Sequence, residues 1–145
     1  MNEIIDDTLK SLAYQIKARG IRMSVGELPP TAADKVAVEQ IFSNLLSNAI
    51  NYIDPVRLGE IEITGESRLE ENVFHVRDNG CGIKNSDIQK VFNMFERLGK
   101  NSVNGEGMGL AYVRALVRRH GGTVLCESEY GAGSKFTFTI LKRLI

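Results

Sequence analysis

Residues 34–52 read DKVAVEQIFSNLLSNAINY, and the way this stretch divides its side chains between faces decides the fold. Leu45, Ala49 and Tyr52 follow one another at helical spacing, with Ile41, Phe42 and Ile53 beside them, which predicts a helix packed against a sheet. Asn44, Asn48 and Asn51 recur on a second face. Carboxamides are mediocre helix formers, so propensity does not explain their recurrence. Their oxygens, held on a rigid helix, can ligate a hard cation such as Mg²⁺, which prefers oxygen and keeps waters that it shares with phosphates. A solvated polar face accounts for the same pattern, and the helix alone does not choose between the two. Thr31 or Asp34 can cap its start, Pro29 and Pro30 separate it from what precedes, and Pro55 and Gly59 mark its exit.

Upstream, Ile5, Leu9, Leu12 and Ile16 fall on one side of an opening helix that Gly20 ends, and Ile21 to Val25 forms a short strand. The stripe of that opening helix is expected to pack on the domain, although residues 1–18 can also include the end of a connector. Downstream, Ile61 and Ile63 alternate with Glu60, Glu62 and Thr64, and Val73, Phe74 and Val76 follow the polar turn Leu69 to Asn72, which predicts an antiparallel hairpin ending at Arg77. Ser86 is placed to cap a short helix from Asp87 to Val91. Gly99 to Gly107 lacks steady periodicity and is rich in Gly, Asn and Ser, as expected of a mobile lid. Helical spacing returns from Gly109 to His120 and is closed by Gly121 and Gly122, and strands at Val124 to Cys126 and Phe136 to Ile140 flank the turn Tyr130 to Ser134. This order is neither strict strand–helix alternation nor all-β. It predicts one domain over residues 1–145, an α/β (α+β) two-layer sandwich with helices on one face of a mixed, mostly antiparallel sheet.

Composition narrows the class of function. The 145 residues suffice for one substantial core, and 18 basic against 18 acidic residues leave no global field to draw the chain to nucleic acid or to a membrane surface, so any anion site must be local. Cys81 and Cys126 are too few and too far apart for a disulfide framework or metal pair, which fits a reducing, cytoplasmic compartment. No apolar run reaches membrane-spanning length, so the domain is expected to make no direct membrane contact, whether its parent chain is soluble or membrane-anchored.

The glycine clusters add chemistry. In Asp78-x-Gly80-x-Gly82 a carboxylate stands directly after a strand, where it can accept from an exocyclic amine such as that of adenine while glycines let a flat ring lie close to the backbone; an ordinary Asx turn is the plainer explanation. Gly105-x-Gly107-x-Gly109-Leu110 leads into a helix whose free N–H groups can cradle phosphates. It is no dinucleotide fingerprint, because a loop rather than a strand precedes it. Gly131-x-Gly133-Ser134 needs nothing beyond a hairpin bend.

Taken in order, the motifs resemble the ATP-binding catalytic domain of bacterial sensor histidine kinases, part of the GHKL superfamily with the Bergerat fold, and most of all the kinases related to phytochromes. Gln40 to Ala49 is similar to the family's N box, Asp78 to Gly82 to its first glycine box, Phe92 to Leu98 to its F box, Gly105 to Leu110 to its second glycine box and Gly131 to Phe136 to its third. The resemblance implies ATP and Mg²⁺ as ligands, with Asn48 on the metal, Asn44 near metal and phosphates, and Asp78 on the adenine amine. Gly80 and Gly82 would shape the ring slot, and Gly105, Gly107 and Gly109 would meet the phosphates. Phe92 and Phe95 would anchor the lid, Arg97 and Lys100 would meet the triphosphate, and Tyr52 would border the nucleotide. Asn51, Ile83, Met108, Leu110 and Ser134 complete the implied binding set. Many relatives carry Lys or Arg where this chain has Asn51, so a phosphate contact is lost or moved. Asn44 stands where the gyrase, Hsp90 and MutL branch has a water-activating glutamate, which argues against an ATPase of that kind. His75 lies inside a strand and His120 at a helix end, both in contexts unlike the family's phosphoacceptor motif. The implied partners are therefore a dimerisation and histidine phosphotransfer domain and, downstream, a response regulator. The alternative from another class is an ATP-sensing interaction module without phosphotransfer.

Overall fold

The structure is a computed structural model, and it describes residues 1–88, 90–92 and 109–142. Its order is α1 (Asn2–Ser11), α2 (Ala13–Ala18), β1 (Arg22–Val25), α3 (Lys35–Asn51), β2 (Glu60–Ser67), β3 (Glu71–Asp78), α4 (Asn85–Ile88), α5 (Gly109–Arg119), β4 (Val124–Glu129) and β5 (Gly133–Leu141). The strands form one sheet in the order β1-β2-β3-β5-β4. β1 lies parallel to β2 and every other pairing is antiparallel, giving the expected mixed sheet.

Side-chain alternation explains why the helices gather on one face. Ile61, Ile63, Phe74, Val76, Phe136, Phe138 and Ile140 point to the same side and are all buried. The opposite side carries charged residues paired across strands, Glu62 with Arg77 at 4.0 Å and Glu127 with Lys135 at 3.6 Å. Such exposed pairs add little stability, but they keep this face wet. At the centre, Phe42 of α3 meets Phe74 edge-on at 5.9 Å and Phe138 at 5.1 Å, while Phe74 and Phe138 stack at 5.2 Å. Truncating any of these fully buried rings would cost about 3–5 kcal/mol.

α3 is more enclosed than a two-faced helix. Ala37, Val38, Ile41, Phe42, Leu45, Leu46, Ala49 and Ile50 are all buried, because α1 packs along one flank and α5 along the other. Asp34 is its cap: the side chain accepts from the N–H groups of Val36 at 3.0 Å and Ala37 at 3.4 Å, an arrangement worth about 1 kcal/mol. The opening helix belongs to this core, with Ile5 fully buried and the Asn2 amide bonded to Gly26 O and Leu28 N.

Several local expectations need correction. The opening helix is interrupted at Leu12 (φ −104°, ψ 5°), whose side chain is nevertheless buried in the core. β3 runs one residue past Arg77, because Asp78 still pairs with Ile61 and Ser134. The short helix begins at Asn85, so Ser86 lies inside it and caps nothing. β4 extends to Glu129, since the β4–β5 ladder continues to Gly133.

Candidate functional site

The site is built at the end of β3. Alternation puts Asp78 on the same side as Val76 and Phe74, so its carboxyl enters the helix-covered layer and is only 6% exposed. Burial pushes its pKa up to about 6, against the pull of hydrogen bonds from the Gly80 and Ser134 backbone N–H groups. The carboxyl is thus ionised at neutral pH but costly to keep so, and it retains acceptor capacity beyond those two bonds.

The turn after Asp78 is held from both sides. Cys81 N donates to Tyr52 O at 2.8 Å, joining it to the end of α3, and Gly131 N donates to Cys81 O at 2.7 Å, joining it to the β4–β5 hairpin. A Cβ on Gly80 would lie 2.2 Å from Tyr52 O, and one on Gly82, whose φ is +74°, would lie 2.2 Å from Glu129 O. The close approach these glycines permit is therefore between protein backbones, a different service from accommodating a ring directly. They bring α3, the turn and the hairpin together around Asp78.

Serines line the same side. Ile83 N donates to Ser128 Oγ at 2.7 Å, Ser128 Oγ donates to Gly133 O at 3.0 Å, and the Ser128 and Ser134 hydroxyls are 2.8 Å apart. The Ser134 hydroxyl is engaged with Ser128, and Ile83 itself is buried at 6% exposure, so both act here by holding the turn.

Asn44, Asn48, Asn51 and Tyr52 are half-buried along α3. Asn44 Oδ1 lies 3.9 Å from where a Cβ on Gly109 would sit, so the amide face reaches the first residue of α5. From Asn44 to Tyr52 this face spans about 12 Å at helical rise, with the start of α5 at one end and the Asp78 turn at the other. Leu110, by contrast, is buried in the core. Phe92 packs edge-on against Phe136 at 5.9 Å. Phe95, Arg97, Lys100, Gly105, Gly107 and Met108 lie outside the described residues.

This sheet, with one layer of helices, a buried strand-end carboxylate and an amide-bearing central helix, agrees with the family model for histidine kinase-, DNA gyrase B- and HSP90-like ATPases, which matches residues 33–144. The chain belongs to that family. Its fold is the Bergerat ATP-binding fold of the GHKL proteins, and it is a histidine-kinase catalytic and ATP-binding domain. It is 37% identical over 139 residues to the methanogenesis regulatory histidine kinase FilI of Methanothrix harundinacea, covering 95% of this chain and 16% of FilI. It is 34% identical over 141 residues to the phytochrome-like protein Cph1 of Synechocystis, covering 97% of this chain and 19% of Cph1. The chain thus spans less than a fifth of either relative's length. The nucleotide-free catalytic domain of histidine kinase ThkA superposes with a TM-score of 0.84 at 27% identity, covering 98% of this chain and 92% of that one. ThkA in complex with the response regulator TrrA gives a TM-score of 0.78 at 26% identity, over 99% of this chain and 40% of that one.

Within this GHKL domain both histidines have structural partners. His120 Nδ1 bonds Leu116 O at 2.9 Å, while its Nε2 accepts from Asp34 N at 3.3 Å, stapling the end of α5 to the start of α3. His75 Nδ1 pairs with Thr137 Oγ1 at 2.8 Å on the outer face of the sheet. Both cysteines are free, and burial pushes the Cys126 thiol up to about 12, which keeps it inert. Three contributors escaped the sequence reading. Ser128 lies inward by strand alternation from Cys126, and Asn79 bridges Glu60 N and Leu58 O. Arg57 bonds both Gly80 O and Gly131 O. Only Ser128 carried a usable signal, its period-two position.

Proposed function

We infer that this GHKL domain binds Mg²⁺-ATP along the amide face of α3 and donates the γ-phosphate to a histidine on a separate dimerisation domain. The observation that carries this reading is Asp78, an ionised carboxylate buried at the end of β3 with spare acceptor capacity. Among the described residues only the Gly80 and Ser134 N–H groups draw on that capacity, and an exocyclic amine of adenine suits the rest. The roughly 12 Å of α3 between Tyr52 and Asn44 then leads from the base toward Gly109, where the start of α5 offers N–H groups to phosphate with no acidic residue in its first turn.

Asp78 accepts from the base, and the backbone bonds of Cys81 to Tyr52 and Gly131 hold the pocket in place before ligand arrives. The carboxamide oxygen of Asn48 would hold Mg²⁺, with Asn44 near the metal and phosphates, and the ion would supply neutralisation of phosphate charge. Arg97 and Lys100 would offset charge on the transferring group, and Tyr52 would border the nucleotide. Catalysis by this chain is positioning and electrostatics, with no covalent role for its own residues. The acceptor histidine lies elsewhere in this reading, because His75 and His120 are spent on Thr137, Leu116 and Asp34. A response regulator acts downstream, residues 1–145 form one domain, and the domain works in the cytoplasm; no helix of the described residues is long and apolar enough to cross a membrane.

Calorimetry with Mg²⁺-ATP, comparing wild type with Asp78→Asn and Asn48→Ala, tests the site. Labelled ATP with a histidine-bearing dimerisation domain tests the transfer. Binding weakened in the variants and label on the added histidine are expected. Binding without label would favour an ATP-sensing interaction module, and a blank titration of folded wild type would end both readings.

A further inference from the structure

One guanidinium closes a ring of contacts behind the Asp78 turn. Arg57 Nη2 shares its two protons among Asp54 Oδ2 at 3.1 Å, Gly80 O at 3.3 Å and Gly131 O. These acceptors belong to the α3–β2 connection, the Asp78 turn and the β4–β5 hairpin, 23 and 74 residues from Arg57 in the latter two cases. The backbone bonds complete the circuit: Tyr52 O to Cys81 N, Cys81 O to Gly131 N, Gly131 O to Arg57, and Arg57 to Asp54, two residues from Tyr52. Asp54 is itself fixed, its Oδ1 accepting from Val56 N at 2.9 Å.

We propose that Arg57 is a positioning residue for nucleotide binding, locking the three segments whose relative placement forms the base end of the pocket. The proposal rests on the nucleotide reading above. An Asp–Arg pair at i,i+3 on a surface would by itself count for little. Here the same nitrogen also meets two backbone carbonyls far apart in sequence, and charge-assisted bonds to carbonyls are stronger than neutral ones. The Arg57 side chain is 37% exposed, so removing it opens no core cavity. It touches neither Asp78 nor the amides of α3 in the bonds described. Its effect should therefore fall on the base and be indifferent to how many phosphates follow.

The test uses the whole chain with Arg57→Met, which keeps the aliphatic stem, and Arg57→Gln, which restores a neutral donor. Wild-type binding of Mg²⁺-ATP and Mg²⁺-ADP is measured first; failure there overturns the nucleotide reading and with it the role of Arg57, whereas the variants test Arg57 alone. Given wild-type binding, Arg57→Met should weaken ATP and ADP by the same factor, about tenfold, with Arg57→Gln between. Amide exchange in the absence of nucleotide should quicken at Cys81 and Gly131 in Arg57→Met, while the melting temperature moves little. Unchanged affinity, a loss confined to ATP, or protection at Cys81 and Gly131 equal to wild type would each overturn the proposal.

Discussion

The two ends of the candidate site are made of different material. Around Asp78 the wall is backbone locked to backbone, through Cys81, Tyr52 and Gly131, with glycines where any side chain would collide. Along α3 toward Gly109, the groups are half-buried carboxamides on a capped helix, with ordinary space beside Gly109. The first end is complete without a ligand and bears the cost of holding a charge out of water. The second is a set of side chains that acquire their purpose from a cation and phosphates. Damage should therefore spread differently: side chains added at the glycines of the base end should alter the fold itself, and changes along the amide face should alter binding alone.

The sharpest contrast is expected from Gly82→Ala. A Cβ 2.2 Å from Glu129 O, on a residue at φ +74°, meets backbone that has no room to yield. Overpacking and left-handed strain together should cost about 4 kcal/mol, read by urea denaturation. A loss below about 1 kcal/mol would mean that the turn is soft and the contrast overstated.

The next largest effect is a pH dependence of stability. The pKa of Asp78 is raised from 3.8 to about 6 in the folded state, with burial as the first cause. Between those values the folded chain holds a proton that the unfolded chain has lost, so the contribution of this group to stability falls as pH rises from about 4 to 6 and stays low above it. The full difference is on the order of 3 kcal/mol. The stability gap between Asp78→Asn and wild type should accordingly narrow as pH drops from 7 to 5; a gap independent of pH would show that burial is not what burdens the carboxyl. Asp78→Asn should also bind Mg²⁺-ATP roughly a hundredfold more weakly, equivalent to about 2.7 kcal/mol, while its unliganded form melts no lower than wild type. Loss of affinity with loss of fold would erase the distinction between binding and framework at this residue.

At the other end, Asn48→Ala should leave the melting temperature nearly unchanged and weaken Mg²⁺-ATP about tenfold, with little effect on nucleotide titrated in EDTA. An equal loss with and without the metal would remove the metal role. The smallest change is a gain: Asn51→Lys should tighten ATP a few-fold and steepen the salt dependence of binding, by returning a positive charge to a half-buried position on the amide face. Unaltered salt dependence would place residue 51 away from the phosphates.

Much of this arrangement was legible from spacing. The helix over residues 34–52, the Asp34 cap, the hairpin, the helix from Gly109 and the one-sided sheet all follow from periodicity and caps that act over a few residues. The break at Leu12 was not legible, because the apolar stripe through Ile5, Leu9, Leu12 and Ile16 suits a continuous helix; packing against the core chose otherwise. Nor was the start of α4 at Asn85, since Ser86 offers the same chemistry as a cap or as a helix residue. Asp78 was picked out as a strand-end carboxylate, but its burial depends on pairing with Ile61 and Ser134 from other strands. The glycines were read as room for a ring, whereas the neighbours that fill the space are Tyr52, Glu129 and Asp78. Arg57 carried no signal at all: its two carbonyl partners are set by tertiary placement.

Alone, then, the sequence determined which segments are helix and strand, which faces are apolar and which residue types could meet a nucleotide, because those properties repeat at 3.6 or 2 residues and need no distant partner. Tertiary structure decided that Asp78 is buried, that its turn is clamped between α3 and the β4–β5 hairpin, and that both histidines are engaged in the scaffold. Those outcomes depend on contacts between residues dozens of positions apart, where solvent exclusion and backbone collision, which no local pattern encodes, set the charge and the shape of the site.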